Sequence, residues 1–276
     1  MKNKAFIIGD IHGMDQALED MLGHWNPAQE ELIFVGDYID RGPNARQVLK
    51  RVYELSQDPS VHALRGNHEQ MFLDYLKDPE QKWPVYFANH GTTTLSQLLK
   101  LNEDAVFSQR AANYVTQVDR YYPWLRPWLD HLTYYIEFGD FIIAHAGVNL
   151  TLDNWRQSSQ HDFLWIRDGF HYEPNNTGKT IIFGHTPTIL LQKGGGIWFA
   201  DDGKIGIDGG AVYGEKLIGL KINREEVIDS FTISTKDQVV NPATQTFKGK
   251  KKGQETTTND KLDPVESARD TRSSAQ

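Results

Sequence analysis

The 276-residue chain has no cysteine. That absence excludes a disulfide scaffold, thiolate zinc sites, iron–sulfur clusters and a cysteine nucleophile. An excess of positive charge is also missing: 29 Lys and Arg face 37 Asp and Glu, a formal net charge of −8. A protein that holds nucleic acid mainly by neutralising phosphates has the opposite balance, so no stable nucleic-acid complex is expected. No apolar run approaches the roughly 20 residues needed to span a bilayer. The apolar stretch at residues 5–8 is too short for a signal peptide. A cytoplasmic protein without membrane contact is the expectation. What the chain does have is 39% hydrophobic and 24% charged residues, enough for a packed core.

Composition changes near the C-terminus. Between residues 245 and 276 the only large apolar residues are Phe247, Leu262 and Val265. So little apolar surface cannot offset the entropy of ordering, and a disordered polar tail is expected there. The tail carries a net +2, which leaves −10 on residues 1–244. The first 70 residues alternate strand and helix, with short apolar runs at 5–9, 32–36 and 61–65 separated by amphipathic segments at 15–24 and 46–56. This β-α-β-α-β order predicts parallel strands with crossover helices. Residues 70–131 are helical in pattern and rich in aromatics, and read as a helical insertion lying over the site. Further strands are expected at 133–138, 141–145, 179–183, 204–208, 217–222 and 227–233, the last group spaced like an antiparallel meander. The fold class is therefore α/β, a two-sheet β-sandwich flanked by helices, with residues 1–244 as one domain.

Five short segments share one chemical theme. Gly9-Asp10-Ile11-His12-Gly13 offers a carboxylate and an imidazole. Gly36-Asp37-Tyr38-Ile39-Asp40-Arg41-Gly42 offers two carboxylates and a guanidinium. Gly66-Asn67-His68-Glu69, His145-Ala146-Gly147 and Gly184-His185-Thr186 add an amide oxygen, three imidazoles and the Glu69 carboxylate. Each lies where a strand meets a loop, the position at which open α/β sheets place their sites. Oxygen and nitrogen donors without sulfur suit Mn²⁺, Fe or Zn²⁺. The donors exceed the needs of one ion; two ions about 3.5–4 Å apart would use them, with one Asp bridging.

The ordered set Asp-x-His-Gly, Gly-Asp-x-x-Asp-Arg-Gly, Gly-Asn-His-Glu, His-Ala-Gly and Gly-His-Thr resembles the calcineurin-like metallophosphoesterases. The Arg-Gly of the second motif and the Glu of the third resemble the serine/threonine phosphatases of that superfamily, in the bacterial and phage branch that includes the lambda phosphatase and the symmetrical diadenosine tetraphosphatases. The resemblance implies a metal-dependent phosphoprotein phosphatase that hydrolyses phosphomonoesters by direct attack of a metal-bound hydroxide. It implies that Asp10 and His12 bind the first metal, Asp37 bridges, and Asn67, His145 and His185 bind the second, with Mn²⁺ expected. It implies that His68 is the general acid, oriented by Asp40, and that Arg41 clamps phosphate. Phe163-Leu-Trp-Ile-Arg167-Asp resembles the family's Leu-Trp-x-Arg stretch, which makes Arg167 the second phosphate clamp.

Two other readings stand beside this one. A bis(5'-nucleosyl)-tetraphosphatase, or a pyrophosphohydrolase that removes RNA caps, would share the metals and could use the aromatic insertion to stack a base. A phosphatase-fold scaffold without catalysis would be expected to have lost ligands. The Asn89-His90-Gly91-Thr-Thr-Thr-Leu95 segment reads either as a substrate-side loop or as a capped helix start, and Tyr213 carries no assigned role. For the tail, a chain truncated after Gln245 should keep its melting temperature and its rate on small phosphoesters. A large drop in melting temperature would show that the tail packs on the domain.

Overall fold

The computed structural model describes residues 2–238; the expected tail at 245–276 lies outside them. Two five-stranded sheets pack face to face. The first contains β1 (Lys4–Ile8), β2 (Glu30–Phe34), β3 (Val61–Ala63), β9 (Lys216–Ile222) and β10 (Val227–Ser234), in the order β10-β9-β1-β2-β3. The second contains β4 (Tyr135–Phe138), β5 (Phe141–Ala144), β6 (Thr180–Phe183), β7 (Trp198–Phe199) and β8 (Lys204–Gly206), in the order β4-β5-β6-β8-β7. The two-sheet α/β architecture read from the sequence is the one observed. Among the described residues no helix is long and apolar enough to cross a membrane.

Successive side chains of a strand point to opposite faces, so a strand covered on both sides reads as an unbroken apolar run. β1 shows the rule. Ala5 and Ile7 enter the core between the sheets, with Ile33, Ile143, Ile182, Ile218 and Leu220. Phe6 and Ile8 point the other way, into a core shared with the helices. There α1 (Asp15–Leu22) buries Ala17, Leu18, Met21 and Leu22, and α2 (Ala45–Leu55) buries Ala45, Val48, Leu49 and Val52. The same alternation in β5 and β6 sends Ile142, Ala144, Ile181 and Phe183 into a third core.

The meander is formed only in part. The sequence neighbours β4–β5, β7–β8 and β9–β10 pair antiparallel, but β5, β6 and β8 are mutually parallel. β9 leaves the second sheet and pairs antiparallel with β1, against which Ile218, Leu220 and Ile222 bury. Spacing alone could not distinguish a neighbour from a strand that crosses to the other sheet.

Residues 67–131 form α3 (Asn67–Lys77), α4 (Pro79–Ala88), α5 (Gly91–Leu99), α6 (Ala111–Tyr121) and α7 (Leu125–His131). Most of their aromatic side chains are packing material. Tyr75, Tyr86 and Tyr114 are fully buried in the core beneath the first sheet. Buried phenols need hydrogen-bond partners. Tyr75, Tyr114 and Tyr122 donate to the carbonyls of Ala111, Ala105 and Leu98 at 2.8–3.0 Å, tying the helices together.

Two short helices follow the second sheet's first strands, α8 (Gln160–Trp165) and α9 (Asp168–His171). The last carbonyls of α9 point at a buried cation: Lys204 Nζ donates to the carbonyls of Phe170, His171 and Glu173 at 3.0, 3.2 and 2.7 Å. His171 itself packs against Phe170, Phe183 and Trp198. Burial, with Arg167 and Lys204 nearby, pushes its pKa down from 6.5 to about 4. Between those values the unfolded chain binds the proton and the native chain does not, so stability present above about pH 6.5 falls as the pH drops towards 4. His171→Leu should therefore flatten the fall in urea midpoint between pH 7 and pH 5. Parallel slopes for the two proteins would remove His171 as a source of acid sensitivity.

Candidate active site

The loops that follow β1, β2, β3, β5 and β6 converge at one end of the sandwich and carry all five sequence clusters. Asp37 lies at their centre. One of its carboxylate oxygens is 3.3 Å from His12 Nε2, the other 3.5 Å from His145 Nε2. Asn67 Oδ1 lies 2.9 Å from both His145 Nε2 and His185 Nδ1. Asp10 Oδ2 accepts the backbone N–H of His185 at 3.0 Å, and its Oδ1 is buried without a partner. All six expected metal ligands are thus assembled, each almost fully buried.

The tautomers follow from the backbone. His12 Nδ1 meets the carbonyl of Ile39 at 2.6 Å and His145 Nδ1 that of Val35 at 3.1 Å. A carbonyl only accepts, so both Nδ1 atoms carry the proton and both Nε2 atoms present lone pairs. Those lone pairs face the carboxylate oxygens of Asp37. Lone pair against lone pair is repulsive unless a positive charge lies between. Burial pushes the pKa of His145 down, and that of His185 further still. Two sets of donors, His12 with Asp37 and His68, and Asp37 with His145 and His185, place their atoms within 4.8 Å of one another. The donor set fits divalent cations, and Asp37 belongs to both sets.

The carboxylates divide by environment. Burial works to raise Asp37, but His145, His68 and His12 around it hold its carboxyl well below the usual range. Burial, Asp208 and Asp37 push Asp10 well up. Asp208, buried beside Gly210 whose N–H it accepts at 2.9 Å, is raised to about 6, chiefly by burial. The sequence reading passed over Asp208 as a site residue, although it has the same signature as Asp10, an Asp beside Gly just past a strand. It also gave no role to Glu69. This fully buried carboxylate accepts the N–H groups of Gly66, Asp37 and Tyr38 at 2.8–3.0 Å and so fixes the Asp37 loop to the start of α3.

His68 lies one residue into α3. Its Nδ1 donates to Asp40 Oδ2 at 2.7 Å, and its Nε2 is buried with no partner. Arg41 donates to His12 Nε2 at 2.7 Å, and Arg167 Nε to His185 Nε2 at 3.1 Å. Both guanidinium groups therefore occupy the rim of the imidazole cluster. His12, Asp37, Asp40, Arg41 and His185 all have positive φ. Non-glycine residues rarely adopt that conformation, and strain of this kind collects at functional sites. The cleft in front holds about 450 Å³ and is lined by Asp37, Arg41, Asn67, His68, Arg167 and His185, with Trp165, Ile189, Leu190 and Tyr213 on its walls. Asn89 also reaches the cleft, while His90 is exposed.

Buried carboxylate, amide and imidazole donors at strand ends, rimmed by two arginines, define a metal-dependent hydrolase of phosphoric esters. The chain belongs to the calcineurin-like phosphoesterase family, whose model matches residues 4–208. It is 27% identical to serine/threonine-protein phosphatase 1 of Salmonella typhimurium, over 77% of this chain and 89% of that protein. It is 24% identical to the asymmetrical bis(5'-nucleosyl)-tetraphosphatase PrpE of Oceanobacillus iheyensis, over 82% of this chain and 91% of that protein. A crystal structure described provisionally as a diadenosine tetraphosphatase shares the fold with a TM-score of 0.57 and 20% identity, over 84% of this chain and 94% of the other.

Gly184 shows how little room the site allows. A Cβ there would lie 2.0 Å from Asp10 Oδ1. Gly184→Ala should displace Asp10 and lower kcat/KM on p-nitrophenyl phosphate by about a hundredfold, since small misplacements of reacting groups are that costly. An unchanged rate would show that the position of Asp10 does not matter to hydrolysis.

Proposed function

We propose that the protein removes phosphate from phosphorylated serine and threonine side chains of proteins, with two manganese ions. Asp10, His12 and Asp37 would hold one ion, and Asp37, Asn67, His145 and His185 the other. Bound there, the ions supply positive charge against the phosphate and acidify water. Arg41 and Arg167 bind the non-bridging phosphate oxygens and fix the phosphorus between them. His68 holds a proton at Nε2 for the leaving oxygen, and Asp40 fixes its tautomer and steadies the imidazolium.

One observation carries the choice of substrate. Among the residues that line the cleft, Arg41 and Arg167 are the only Arg or Lys, and they share it with Asp37, Asp208 and Glu215. Two guanidinium groups suit one phosphate. A tetraphosphate chain carries several more charges and would meet carboxylates instead. The exposed Ile189, Leu190 and Tyr213 beside the cleft suit side chains flanking a phosphorylated residue. The similarity to a serine/threonine-protein phosphatase supports the same reading.

A second reading has its own support. Trp165 lines the cleft, and Tyr213 stands with Arg41 6.0 Å from its ring centre, so aromatic faces are available to a base. These are not the aromatics of residues 70–131, most of which are buried in or packed against the helix core. The tetraphosphatase relatives are named asymmetrical. The products to seek on that reading are a nucleoside triphosphate and a monophosphate, rather than two diphosphates.

The test is a side-by-side measurement of kcat/KM on phosphoserine and phosphothreonine peptides and on diadenosine tetraphosphate, with products identified, before and after exhaustive chelation and Mn²⁺ return. The expected result is preference for phosphopeptide, loss of activity on chelation and recovery with Mn²⁺. Dinucleotide cleavage at least about a hundredfold more efficient than any phosphopeptide would overturn the substrate, and full activity after chelation would overturn the ions.

A further inference from the structure

Asp40 is fully buried, and its two oxygens are used differently. Oδ2 accepts from His68 Nδ1. Oδ1 accepts from two hydroxyls, Tyr86 Oη at 3.0 Å and Thr94 Oγ1. Thr94 Oγ1 in turn accepts the backbone N–H of Asp40 at 2.9 Å. Both hydroxyl residues are fully buried. Tyr86 stands near the end of α4 and Thr94 in the first turn of α5, so the tight connection Asn89-His90-Gly91 between them brings both to one carboxylate. That connection is specialised. His90 has φ +69°, and a Cβ on Gly91 would lie 2.5 Å from the Tyr86 ring.

We propose that Tyr86 and Thr94 are positioning residues for proton delivery: by occupying Oδ1 of Asp40 they hold the carboxylate in the rotamer whose Oδ2 binds His68, and so aim His68 Nε2 at the leaving oxygen. The inference rests on the reading of His68 as proton donor. As the phosphorus–oxygen bond breaks, its electron pair passes to the leaving oxygen and the Nε2 proton follows. The ring is then a neutral imidazole whose Nδ1–H still bonds Asp40 Oδ2, and it is charged again when Nε2 takes up a proton from water. Without the two hydroxyls, Asp40 Oδ1 would be a buried carboxylate oxygen with no donor, and the carboxylate would rotate to find one. Burial and the Asp40 charge push the Tyr86 phenol well above its ordinary pKa, which keeps it a donor. The Asn-His-Gly-Thr-Thr-Thr segment thus couples the helices of residues 67–131 to the chemistry, without touching substrate through Tyr86 or Thr94.

The experiment compares p-nitrophenyl phosphate, whose leaving group departs without a proton, with phenyl phosphate, whose leaving group needs one. Tyr86→Phe and Thr94→Val should each lower kcat on phenyl phosphate about tenfold, and on p-nitrophenyl phosphate less than about twofold. Thr94→Ser should restore most of the loss. In a His68→Asn background neither change should add to the leaving-group effect, because residues acting through one group are not additive. Equal losses on both substrates, with a lowered melting temperature, would make the hydroxyls merely structural and overturn the proposal. Selective loss in His68→Asn but none in Tyr86→Phe or Thr94→Val would overturn it while leaving His68 as the acid. Absence of selectivity in His68→Asn itself would overturn both.

Discussion

A carboxylate taken out of water must be compensated, and Asp37 is compensated from every side. His145, His68 and His12 lie around it and hold its carboxyl well below the usual range, against the upward push of burial. Its backbone is fixed as firmly: the Asp37 carbonyl accepts the N–H groups of Ile11 and His12, and its own N–H is taken by Glu69. Through that one residue the loops after β1, β2 and β3 are locked to one another. The charge is exposed only towards the cleft, where donors from both sheets converge. Ions placed there would add positive charge on the side of Asp37 that faces the cleft.

The parts of this arrangement differ in how far the chain announces them. β1 and β2 are legible because strands buried on both faces are continuous apolar runs. The donor cluster is legible because each of its segments is compact and sits at a strand end. The parallel pairing of β5, β6 and β8 is not, since short apolar runs say nothing of their neighbours. The positive φ values of His12, Asp37, Asp40, Arg41 and His185 are hidden as well, because no glycine marks them. Asp40 and Tyr86 are 46 residues apart, and no local pattern links a carboxylate to a phenol at that distance. The aromatics of residues 67–131 mislead for a simple reason. A ring that could stack on a base is equally able to fill a core, and only its burial distinguishes the two uses.

Chemistry and substrate choice occupy different pieces of backbone. The donors and arginines of the site sit at strand ends or on short helices held by buried contacts, as Lys204 holds the carbonyls that follow Arg167. The walls that would meet the rest of a substrate come from turns at Thr188–Leu190 and Ala211–Tyr213. Such turns can change without disturbing the donor cluster.

The pairing of β9 with β1 sets an order of assembly. β1 lies in the middle of its sheet, yet the neighbour on one side comes from residues 216–222. During synthesis the first sheet must wait, one edge of β1 unpaired, until nearly the whole described chain has left the ribosome. The donors are divided in the same way, Asp10 to His68 arriving early and His145 to His185 late. A half-made chain can hold neither a finished sheet nor a finished site. Closure of the first sheet and completion of the donor cluster both depend on contacts far apart in sequence, which are slow to form.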